Sequence, residues 1–197
     1  MKRIAIFCSG SGSNAEAIMK RFYSHPGIRV GLLLSNKPDA YALERAKKYG
    51  VPTMVFNRQQ FTQTDEVLQM LRDAKIDVIV LAGFLWLVPQ NLLTAFPDRI
   101  LNIHPALLPQ FGGKGMHGIH VHKAVKAAHR RESGISIHLV NEVYDSGKIL
   151  LQKKIPVSLS DSPEQIAANV LRLEHKYYSQ AIEDYINALM PVWKPKF

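Results

Sequence analysis

The stretch Leu101-Asn102-Ile103-His104-Pro105-Ala106-Leu107-Leu108-Pro109 decides the fold and the chemistry of this chain of 197 residues. Residues 99–103 are largely apolar and predict a buried strand, which Pro105 ends because proline cannot donate to a neighbouring strand. Asn102 and His104 lie two residues apart, so an extended strand presents both side chains on one face. The stretch therefore predicts an amide and an imidazole at the carboxyl end of a strand, where open α/β sheets bind ligands.

This pair suits a reaction in which a carbonyl oxygen becomes an oxyanion and a proton moves. The alternative is that Asn102 caps a turn and His104 is an ordinary loop histidine. Taken alone, the two residues favour this structural alternative. The other motifs of the chain favour a catalytic role for both.

Composition predicts one soluble domain with a sizeable core, since 47% of the residues are hydrophobic and 21% are charged. The single cysteine, Cys8, excludes an internal disulfide framework and is typical of a reducing compartment. Its apolar surroundings favour a small buried residue over a nucleophile. No apolar run is long enough to cross a membrane and no signal peptide is evident, so we expect a cytoplasmic protein without a membrane partner.

The formal net charge of +9 comes from Lys and Arg residues scattered in pairs, with no long basic run among aromatic residues. This pattern favours small anionic ligands over nucleic acid. His117, His120 and His122 lie close in sequence, but no cysteine or acidic residue stands at metal-ligand spacing from them. We therefore predict no metal site.

Strand-like runs alternate with helical patterns over most of the chain, which predicts an α/β fold with βαβ units. We expect a single Rossmann-like domain over residues 1–197, with a mostly parallel twisted sheet and helices on both faces. Near the C-terminal half, residues 135–141 and 148–157 flank the turn Asp145-Ser146-Gly147 and predict an antiparallel addition to the sheet. The predicted strands span 4–8, 29–35, 53–56, 77–82 and 99–103, and the predicted helices span 14–23, 40–49, 61–74, 89–96 and 120–129.

A last helix begins after Ser162, which can cap it, and Pro163, which suits its first position. The pattern predicts that this helix runs to about Met190. Pro191 and Pro195 then predict an irregular tail.

A turn rich in glycine and serine, Ser9-Gly10-Ser11-Gly12-Ser13-Asn14, separates the first strand from the first helix. Glycines allow close backbone approach, and a helix amino end offers free N–H groups and a positive dipole end. The turn therefore predicts a phosphate site, with an ordinary tight turn as the alternative. It matches neither a Rossmann nor a Walker pattern, because Lys20 lies too far down the helix.

Three further segments could carry function. Residues 81–89 are apolar without a packing period, which favours a wall for a flat heteroaromatic ligand or, alternatively, simple core. Asp145, in the segment 141–147, could orient His104 and favour its protonated form, or could serve only the turn. Arg172-Leu173-Glu174-His175, on the last helix, could bind substrate or form a solvated helix face.

The chain resembles the phosphoribosylglycinamide formyltransferase family over nearly its whole length. The resemblance rests on five motifs in the order and spacing of that family: SGSGSN (9–14), LAGF (81–84), NIHPALLP (102–109), Asp-x-Gly at Asp145 and LEH at Leu173. The resemblance implies transfer of a formyl group from 10-formyltetrahydrofolate to the amine of glycinamide ribonucleotide in purine biosynthesis. It implies that the N-terminal half binds the ribonucleotide phosphate, while the C-terminal half binds folate and catalyses. It further implies a formyl folate co-substrate, no metal, and a monomer or homodimer.

The resemblance also implies roles for individual residues. Asn102 would donate to the formyl oxygen, His104 as imidazolium would stabilise the oxyanion, and Asp145 would raise the pKa of His104. The Leu108–Pro109 bond would be cis. Ribonucleotide contacts would come from Gly12, Ser13, Asn14, Leu171, Arg172, Leu173 and Glu174, and folate contacts from Leu85, Trp86, Leu87, Val88, Asn102, Asn141, Glu142, Val143, Tyr144 and Asp145.

The chain departs from the family pattern at four places. Trp86 stands where many members have Arg, and Thr64 falls near a position often held by a folate-contacting Arg. Gln110 replaces a common Lys, and the loop 110–118 is several residues longer than usual. Lys114 in that loop could supply the missing charge.

Three alternatives remain open at this point. A formyltetrahydrofolate deformylase would share Asn102, His104 and Asp145 but usually carries an additional N-terminal domain, for which we expect no room before the first strand. A methionyl-tRNA formyltransferase normally adds a C-terminal barrel, which we do not expect here. A non-catalytic module that binds a phosphate ligand or nucleic acid would show binding without turnover.

Overall fold

A seven-stranded sheet organises residues 1–189, the part of the chain that the computed structural model describes. The strands pair in the order β3-β2-β1-β4-β5-β6-β7, with β1 to β5 parallel and with β6 and β7 antiparallel to their neighbours. The predicted fold class, a mostly parallel sheet with an antiparallel addition, is confirmed. The strands are β1 (Lys2–Cys8), β2 (Ile28–Ser35), β3 (Thr53–Val55), β4 (Val78–Leu81), β5 (Ile100–His104), β6 (Glu132–Leu139) and β7 (Ile149–Pro156).

Helices cover both faces of the sheet because the central strands carry apolar side chains on both sides. In β1, Ile4 and Ile6 pack into one core cluster, while Ala5 and Phe7 pack into the other. The first cluster lies under α1, α2, α6 and α7, and the second under α3, α4 and α5. The helices are α1 (Ser13–Phe22), α2 (Tyr41–Lys48), α3 (Arg58–Thr62), α4 (Glu66–Asp73), α5 (Gln90–Ala95), α6 (Ile119–Ala127) and α7 (Pro163–Leu189).

Cys8 ends β1 inside the first core cluster and has no exposed surface. Burial raises the pKa of its thiol to about 12. A thiol that stays protonated is a poor nucleophile, so the predicted role of a small buried residue is confirmed.

The final helix starts as predicted. Ser162 and Gln165 form a reciprocal cap, in which the Gln165 N–H donates to Ser162 Oγ at 3.2 Å and the Ser162 N–H donates to Gln165 Oε1 at 2.7 Å. The predicted end at Met190 and the predicted irregular tail at Pro191 and Pro195 lie outside the described residues.

The prediction of one helix over residues 61–74 is wrong, since α3 and α4 are separate helices. Asn57 and Gln60 form a capping box that starts α3 earlier. The Thr64 hydroxyl then accepts from the Glu66 N–H at 3.3 Å, which starts a second helix. Short polar side chains that bond to nearby backbone groups compete with helix continuation in this way.

The carboxyl ends of β1, β4 and β5 open on one edge of the sheet, at the point where the strand order reverses direction. The loops that follow β1 and β4 are tied together there. The Ser9 N–H donates to the Gly83 carbonyl at 3.1 Å, and the Leu85 N–H donates to Ser9 Oγ at 3.3 Å. This edge is where open α/β sheets bind their ligands. No helix among residues 1–189 is both long and apolar enough to cross a membrane.

Candidate active site

A cavity of about 820 Å³ opens at this edge of the sheet. One end is formed by the glycine-rich turn and α7, and the other by the end of β5 and the turn that follows β6. Its walls come from residues 10–14, 81–88, 102–105, 113–119, 140–141, 143–145 and the inner face of α7, with Arg58, His122 and His138 contributing singly.

Asn102, His104 and Asp145 meet at one end of this cavity. His104 Nδ1 lies 3.4 Å from Asp145 Oδ2, and Asn102 Nδ2 lies 3.4 Å from Asp145 Oδ1. The His104 ring is nearly inaccessible, with 4% of its side chain exposed, and Asp145 exposes 9%. The structure therefore brings the three predicted catalytic residues together, with an amide, an imidazole and a carboxylate around one spot.

The turn that carries Asp145 has a conformation set by its own residues. Asp145 has a positive φ of 54°, and the Asn141 side chain accepts from the Val143 N–H at 3.0 Å and from Ser146 Oγ at 2.9 Å. A Cβ at Gly147 would lie 1.8 Å from the Leu139 carbonyl oxygen, so only glycine fits there. This turn directs the carboxylate back toward β5.

His138 belongs to the same group of residues and was missed by the sequence reasoning. It pairs directly with Asn102 across β5 and β6, and its Nε2 lies 3.1 Å from Asn102 Nδ2 and 3.5 Å from Asp145 Oδ1. Its Nδ1–H donates to the Leu139 carbonyl at 2.8 Å, which leaves Nε2 facing both the Asn102 amide and the Asp145 carboxylate. The sequence did offer one signal for His138, which is a histidine within a strand predicted to pair antiparallel with its neighbour. The residue that it faces, however, depends on the register between the two strands.

The loop after β5 contacts both members of the His104–Asp145 pair. His104 Nε2 donates to the Phe111 carbonyl at 2.7 Å, and the Gly113 N–H donates to Asp145 Oδ2 at 2.9 Å. Both nitrogens of His104 therefore face oxygen acceptors, and a neutral ring can donate to only one of them.

The resting state of His104 differs from the imidazolium that the resemblance implies for the reaction. Burial lowers the pKa of His104, and this outweighs the charge of Asp145, which acts in the predicted upward direction. Burial also opposes ionisation of Asp145, but hydrogen bonds from His138 and the Gly113 N–H, with the charge of His104, hold its pKa below the usual value. The pair therefore rests as a carboxylate beside a neutral imidazole at neutral pH.

The glycine-rich turn forms the opposite end of the cavity. Gly12 caps α1 with a positive φ of 72°, and a Cβ there would lie 2.4 Å from Ala42 Cβ. Only glycine allows this close packing of the turn against α2, and the free N–H groups at the start of α1 line the cavity. A helix start with free N–H groups is an arrangement that can bind an anion.

Of the predicted ribonucleotide residues, Gly12, Ser13, Asn14, Leu171 and Glu174 line the cavity. Asn14 Nδ2 donates to Glu174 Oε2 at 2.6 Å, and burial raises the pKa of Glu174.

Arg172 and Leu173 do not line the cavity. Arg172 is exposed and donates to Asn169 Oδ1 at 3.2 Å, while Leu173 packs against the first core cluster. Residues that adjoin a cavity-facing position on a helix point elsewhere, because only positions three or four apart share a face.

The predicted apolar wall of residues 85–88 lines the cavity along its whole length, and two of its residues also pack in the core. Leu85 and Leu87 are exposed toward the cavity, whereas Val88 is buried in the second core cluster, and Trp86 packs against that cluster. Asn141, Val143 and Tyr144 form the facing side. Glu142 does not line this cavity and borders a separate cavity of about 330 Å³ near α5.

Among residues 1–189, one lysine and one arginine line the cavity. Lys114 lines it from the long loop, as the sequence suggested. Arg58 was missed, because it precedes the predicted helix; its guanidinium carbon lies 5.1 Å from the centre of the Trp86 ring. Thr64, in contrast, bonds to Gln60 and Glu66 and does not line the cavity.

In residues 1–189 no three histidine, cysteine or acidic side chains converge as they would around a metal ion. The rings of His117 and His120 pack edge to face at 5.6 Å.

Comparison with known proteins places this arrangement in a family. A family model described as formyl transferase matches residues 2–182. The chain belongs to the formyl transferase family. It is 45% identical over 193 residues to the chloroplastic phosphoribosylglycinamide formyltransferase of Arabidopsis thaliana, covering 92% of this chain and 64% of that protein. It is 36% identical to the phosphoribosylglycinamide formyltransferase of Bacillus subtilis, covering 94% and 95%.

A solved structure agrees in fold. The crystal structure of phosphoribosylglycinamide formyltransferase from Bacillus halodurans superposes with a TM-score of 0.85 at 33% identity, covering 98% of this chain and 99% of the other. The present chain spans slightly less than two thirds of the length of the Arabidopsis relative and nearly all of the bacterial ones.

This formyl transferase also has the cis Leu108–Pro109 bond that the resemblance implied. Both backbone groups of Leu108 are held by side chains from β6 and β7. The Leu108 N–H donates to Ser136 Oγ at 2.9 Å, and Gln152 Nε2 donates to the Leu108 carbonyl at 2.9 Å. The start of the long loop is therefore anchored to the antiparallel part of the sheet.

Proposed function

We propose that this formyl transferase moves the formyl group of 10-formyltetrahydrofolate to the amine of 5'-phosphoribosylglycinamide. The products are formylglycinamide ribonucleotide and tetrahydrofolate, a step of purine (IMP) biosynthesis. The observation that carries the proposal is the convergence of Asn102, His104 and Asp145 at one end of a cavity whose other end is the glycine-rich turn at the start of α1. A site that joins two substrates needs catalytic groups at one end and a place for the phosphorylated substrate at the other.

The reaction proceeds by attack of the amine nitrogen on the formyl carbon. A carbon–nitrogen bond forms and the formyl oxygen takes up the negative charge. The amine then loses a proton, the folate N10 gains one, and the bond between N10 and the formyl carbon breaks. The protein therefore has to stabilise an oxyanion and move one proton between two nitrogens.

Asn102 and His104 supply the donors for the oxyanion. The Asn102 amide is oriented by His138, and the neutral His104 ring carries its proton on Nε2, where the Phe111 carbonyl accepts it. In the productive complex the formyl oxygen replaces that carbonyl as the acceptor. The travelling proton is taken up at Nδ1, the free nitrogen of the ring, and Asp145, whose Oδ2 lies 3.4 Å from Nδ1, stabilises the imidazolium that forms.

The ribonucleotide is held by the cradle of Gly12, Ser13 and Asn14, whose N–H groups face its phosphate. Glu174 accepts hydrogen bonds from the glycinamide end, and Leu171 packs beside it. In this proposal the N-terminal half of the chain binds the phosphate, the C-terminal half supplies catalysis, and α7 completes the ribonucleotide end.

The folate co-substrate lies along the opposite wall. Its pterin ring packs between the segment Leu85 to Val88 and the facing residues Asn141, Val143, Tyr144 and Asp145. Its carboxylate tail reaches the cavity mouth, where Arg58 and Lys114 carry positive charge. The chain offers these cations in place of an arginine at position 86.

The first experiment measures loss of 10-formyltetrahydrofolate by the purified protein with and without the ribonucleotide. Turnover that requires the ribonucleotide supports the transferase, and equal turnover without it would make the protein a deformylase. No turnover with bound ribonucleotide would make it a binding module.

The matched variant is His104→Ala. It should lose turnover by roughly 10²–10³-fold, the typical effect of removing one oxyanion donor, while calorimetry shows unchanged ribonucleotide affinity. His120→Ala, an exposed histidine outside the cavity, is the control.

A further inference from the structure

Arg45 lies behind the glycine-rich turn and contacts it without lining the cavity. From α2, its Nε–H donates to the Ser11 carbonyl oxygen at 2.9 Å. Its guanidinium also forms an ion pair with Glu16 in the first turn of α1, and packs over the Tyr41 ring at 4.9 Å. Ser11, Glu16 and Tyr41 therefore all contact this guanidinium, and only 22% of the Arg45 side chain is exposed.

The contact with Ser11 matters because a peptide unit is planar. The carbonyl of Ser11 and the N–H of Gly12 belong to one trans unit and point in opposite directions. A donor that holds the carbonyl toward α2 therefore holds the Gly12 N–H away from α2, on the cavity side.

The preceding peptide unit is held by the same helix. The Ala42 N–H donates to the Gly10 carbonyl at 3.2 Å, which orients the Ser11 N–H in the same way. Helix α2 therefore fixes two consecutive peptide units of the cradle, one through its backbone and one through Arg45.

Arg45 also acts on the charge of the cradle. Glu16 stands one turn into α1, close to the place where an anion would bind, and its ion pair with Arg45 neutralises that carboxylate. Loss of the arginine would leave both a peptide unit without its anchor and an uncompensated negative charge.

Resting on the proposed function, we infer that Arg45 is a positioning residue for the phosphate site. It orients the peptide unit between Ser11 and Gly12 and compensates Glu16, and it thereby sets the affinity for the phosphorylated end of the substrate without touching the ligand. The inference concerns substrate affinity, so it can be tested independently of the catalytic role proposed for His104.

The test measures dissociation constants by calorimetry for three probes: glycinamide ribonucleotide, its dephosphorylated ribonucleoside, and inorganic phosphate. Arg45→Gln should weaken binding of the ribonucleotide and of phosphate by about tenfold, the effect of losing one charge-assisted hydrogen bond. Binding of the ribonucleoside should be unchanged. In the assay, KM for the ribonucleotide should rise by a similar factor while kcat stays within about twofold.

Two variants separate orientation from charge. Glu16→Gln keeps the bond from Arg45 to Ser11 and should bind phosphate as well as the parent does. The double variant Arg45→Gln with Glu16→Gln removes the anchor without leaving a free carboxylate, and should still bind phosphate more weakly. Arg21→Gln is the control, since Arg21 pairs with Glu183 on α7 and the substitution changes the net charge equally.

The outcomes separate the inference from the proposed function. Equal phosphate affinity in Arg45→Gln and the parent overturns the inference, as does an equal loss of affinity for the ribonucleoside. Absence of formyl transfer by the parent overturns only the proposed function, because phosphate binding still tests Arg45. Absence of phosphate binding by the parent overturns both.

Discussion

At the scale of single residues, the His104–Asp145 pair shows how burial and charge compete. Both nitrogens of the His104 ring face oxygen acceptors, which favours the imidazolium, yet burial lowers its pKa overall. A ring that is neutral at rest, beside an ionised carboxylate, can accept a proton during the reaction and release it again. This balance suits a proton carrier better than a permanently charged ring would.

Asp145→Asn should therefore reduce kcat by about 10²–10⁴-fold, because the amide cannot stabilise the imidazolium that forms on proton uptake. The KM for the ribonucleotide should change little, since its phosphate cradle lies at the far end of the cavity. Steady-state kinetics with both substrates checks this, with Glu142→Gln, an exposed carboxylate outside the main cavity, as the control. A kcat within threefold of the parent value would contradict the role of Asp145.

Arg58 and Trp86 support a second prediction at this scale. Arg58→Ala should raise the KM for 10-formyltetrahydrofolate by about two- to fivefold, the range for one exposed ion pair. The effect should weaken at high salt, because exposed charges are screened.

Arg72→Ala, an exposed arginine of α4 outside the cavity, serves as the control for Arg58. Trp86→Ala should give a similar rise, since the indole holds the guanidinium in place. A KM that is unchanged in both variants would show that the folate tail does not reach this side of the mouth.

The sequence predicted Asn102, His104 and Asp145 but neither His138 nor the direction of the His104 pKa. Asn102 and His104 share one strand, so their spacing alone places them together. His138 depends on the register between β5 and β6, and the pKa depends on how deeply the ring is covered. Neither quantity is encoded in local spacing.

At the scale of elements, the loop between β5 and α6 is the part most closely coupled to the catalytic residues. It donates the Gly113 N–H to Asp145 and accepts from His104 at Phe111. A Cβ at Gly112 would lie 3.2 Å from Asp145 Cβ and 2.6 Å from Leu108 Cδ2. The Leu108 methyl can rotate away, but Asp145 has to shift by a few tenths of an ångström.

Gly112→Ala should consequently reduce kcat by about three- to tenfold, because small displacements of a catalytic group are costly. Thermal unfolding should show stability close to that of the parent. Gly27→Ala, where the nearest atom to an added Cβ is His25 Cε1 at 3.8 Å, provides the control. An unchanged kcat would show that Asp145 tolerates the shift.

The elements themselves were largely predictable, and the exceptions have local causes. Strands β1 and β4 follow from unbroken apolar runs, and the end of α2 at Gly50 and Pro52 follows from the residues that stop helices. The break between α3 and α4 was missed because the apolar period continues through it. Hydrogen bonds from the Thr64 side chain override that period.

At the scale of the whole molecule, the site exists because the antiparallel addition folds back beside β5. Asp145 lies 43 residues from Asn102 in sequence, and Asn14 lies 160 residues from Glu174. The order of elements predicted which edge of the sheet would carry the site. It could not predict that α7 would cross the start of α1, because helix packing depends on three-dimensional fit and not on period alone.

Buried histidines should make the stability of the whole molecule depend on pH. His122 on α6 is 4% exposed, and its Nδ1 has no hydrogen-bond partner among the described residues. Burial, with a smaller contribution from the charge of His104, lowers its pKa. The pKa of the buried His104 is lowered as well, mainly by burial, and the pKa of His175, an exposed residue of α7, is lowered by partial covering of its ring.

A histidine whose folded-state pKa lies below its unfolded value of about 6.5 is protonated first in the unfolded chain as the pH falls. The free energy of unfolding should therefore be flat above about pH 6.5 and should decrease below it, by at most about 1.4 kcal/mol per pH unit for each such histidine. Urea unfolding at intervals from pH 7.5 to 5.5 measures this slope. Glu174, whose pKa is raised, contributes with the opposite sign, so the informative quantity is a difference between variants.

His122→Gln should flatten the slope below pH 6.5 by the contribution of one histidine, because glutamine does not titrate. His120→Gln, at an exposed position of the same helix, is the matched control for replacing a histidine of α6 by glutamine. Parallel curves for the parent and His122→Gln down to pH 5.5 would show that His122 takes up its proton equally in the folded and unfolded states. The remaining pH dependence would then have to come from His104 and His175, and the unpartnered Nδ1 of His122 would have to be hydrated in solution.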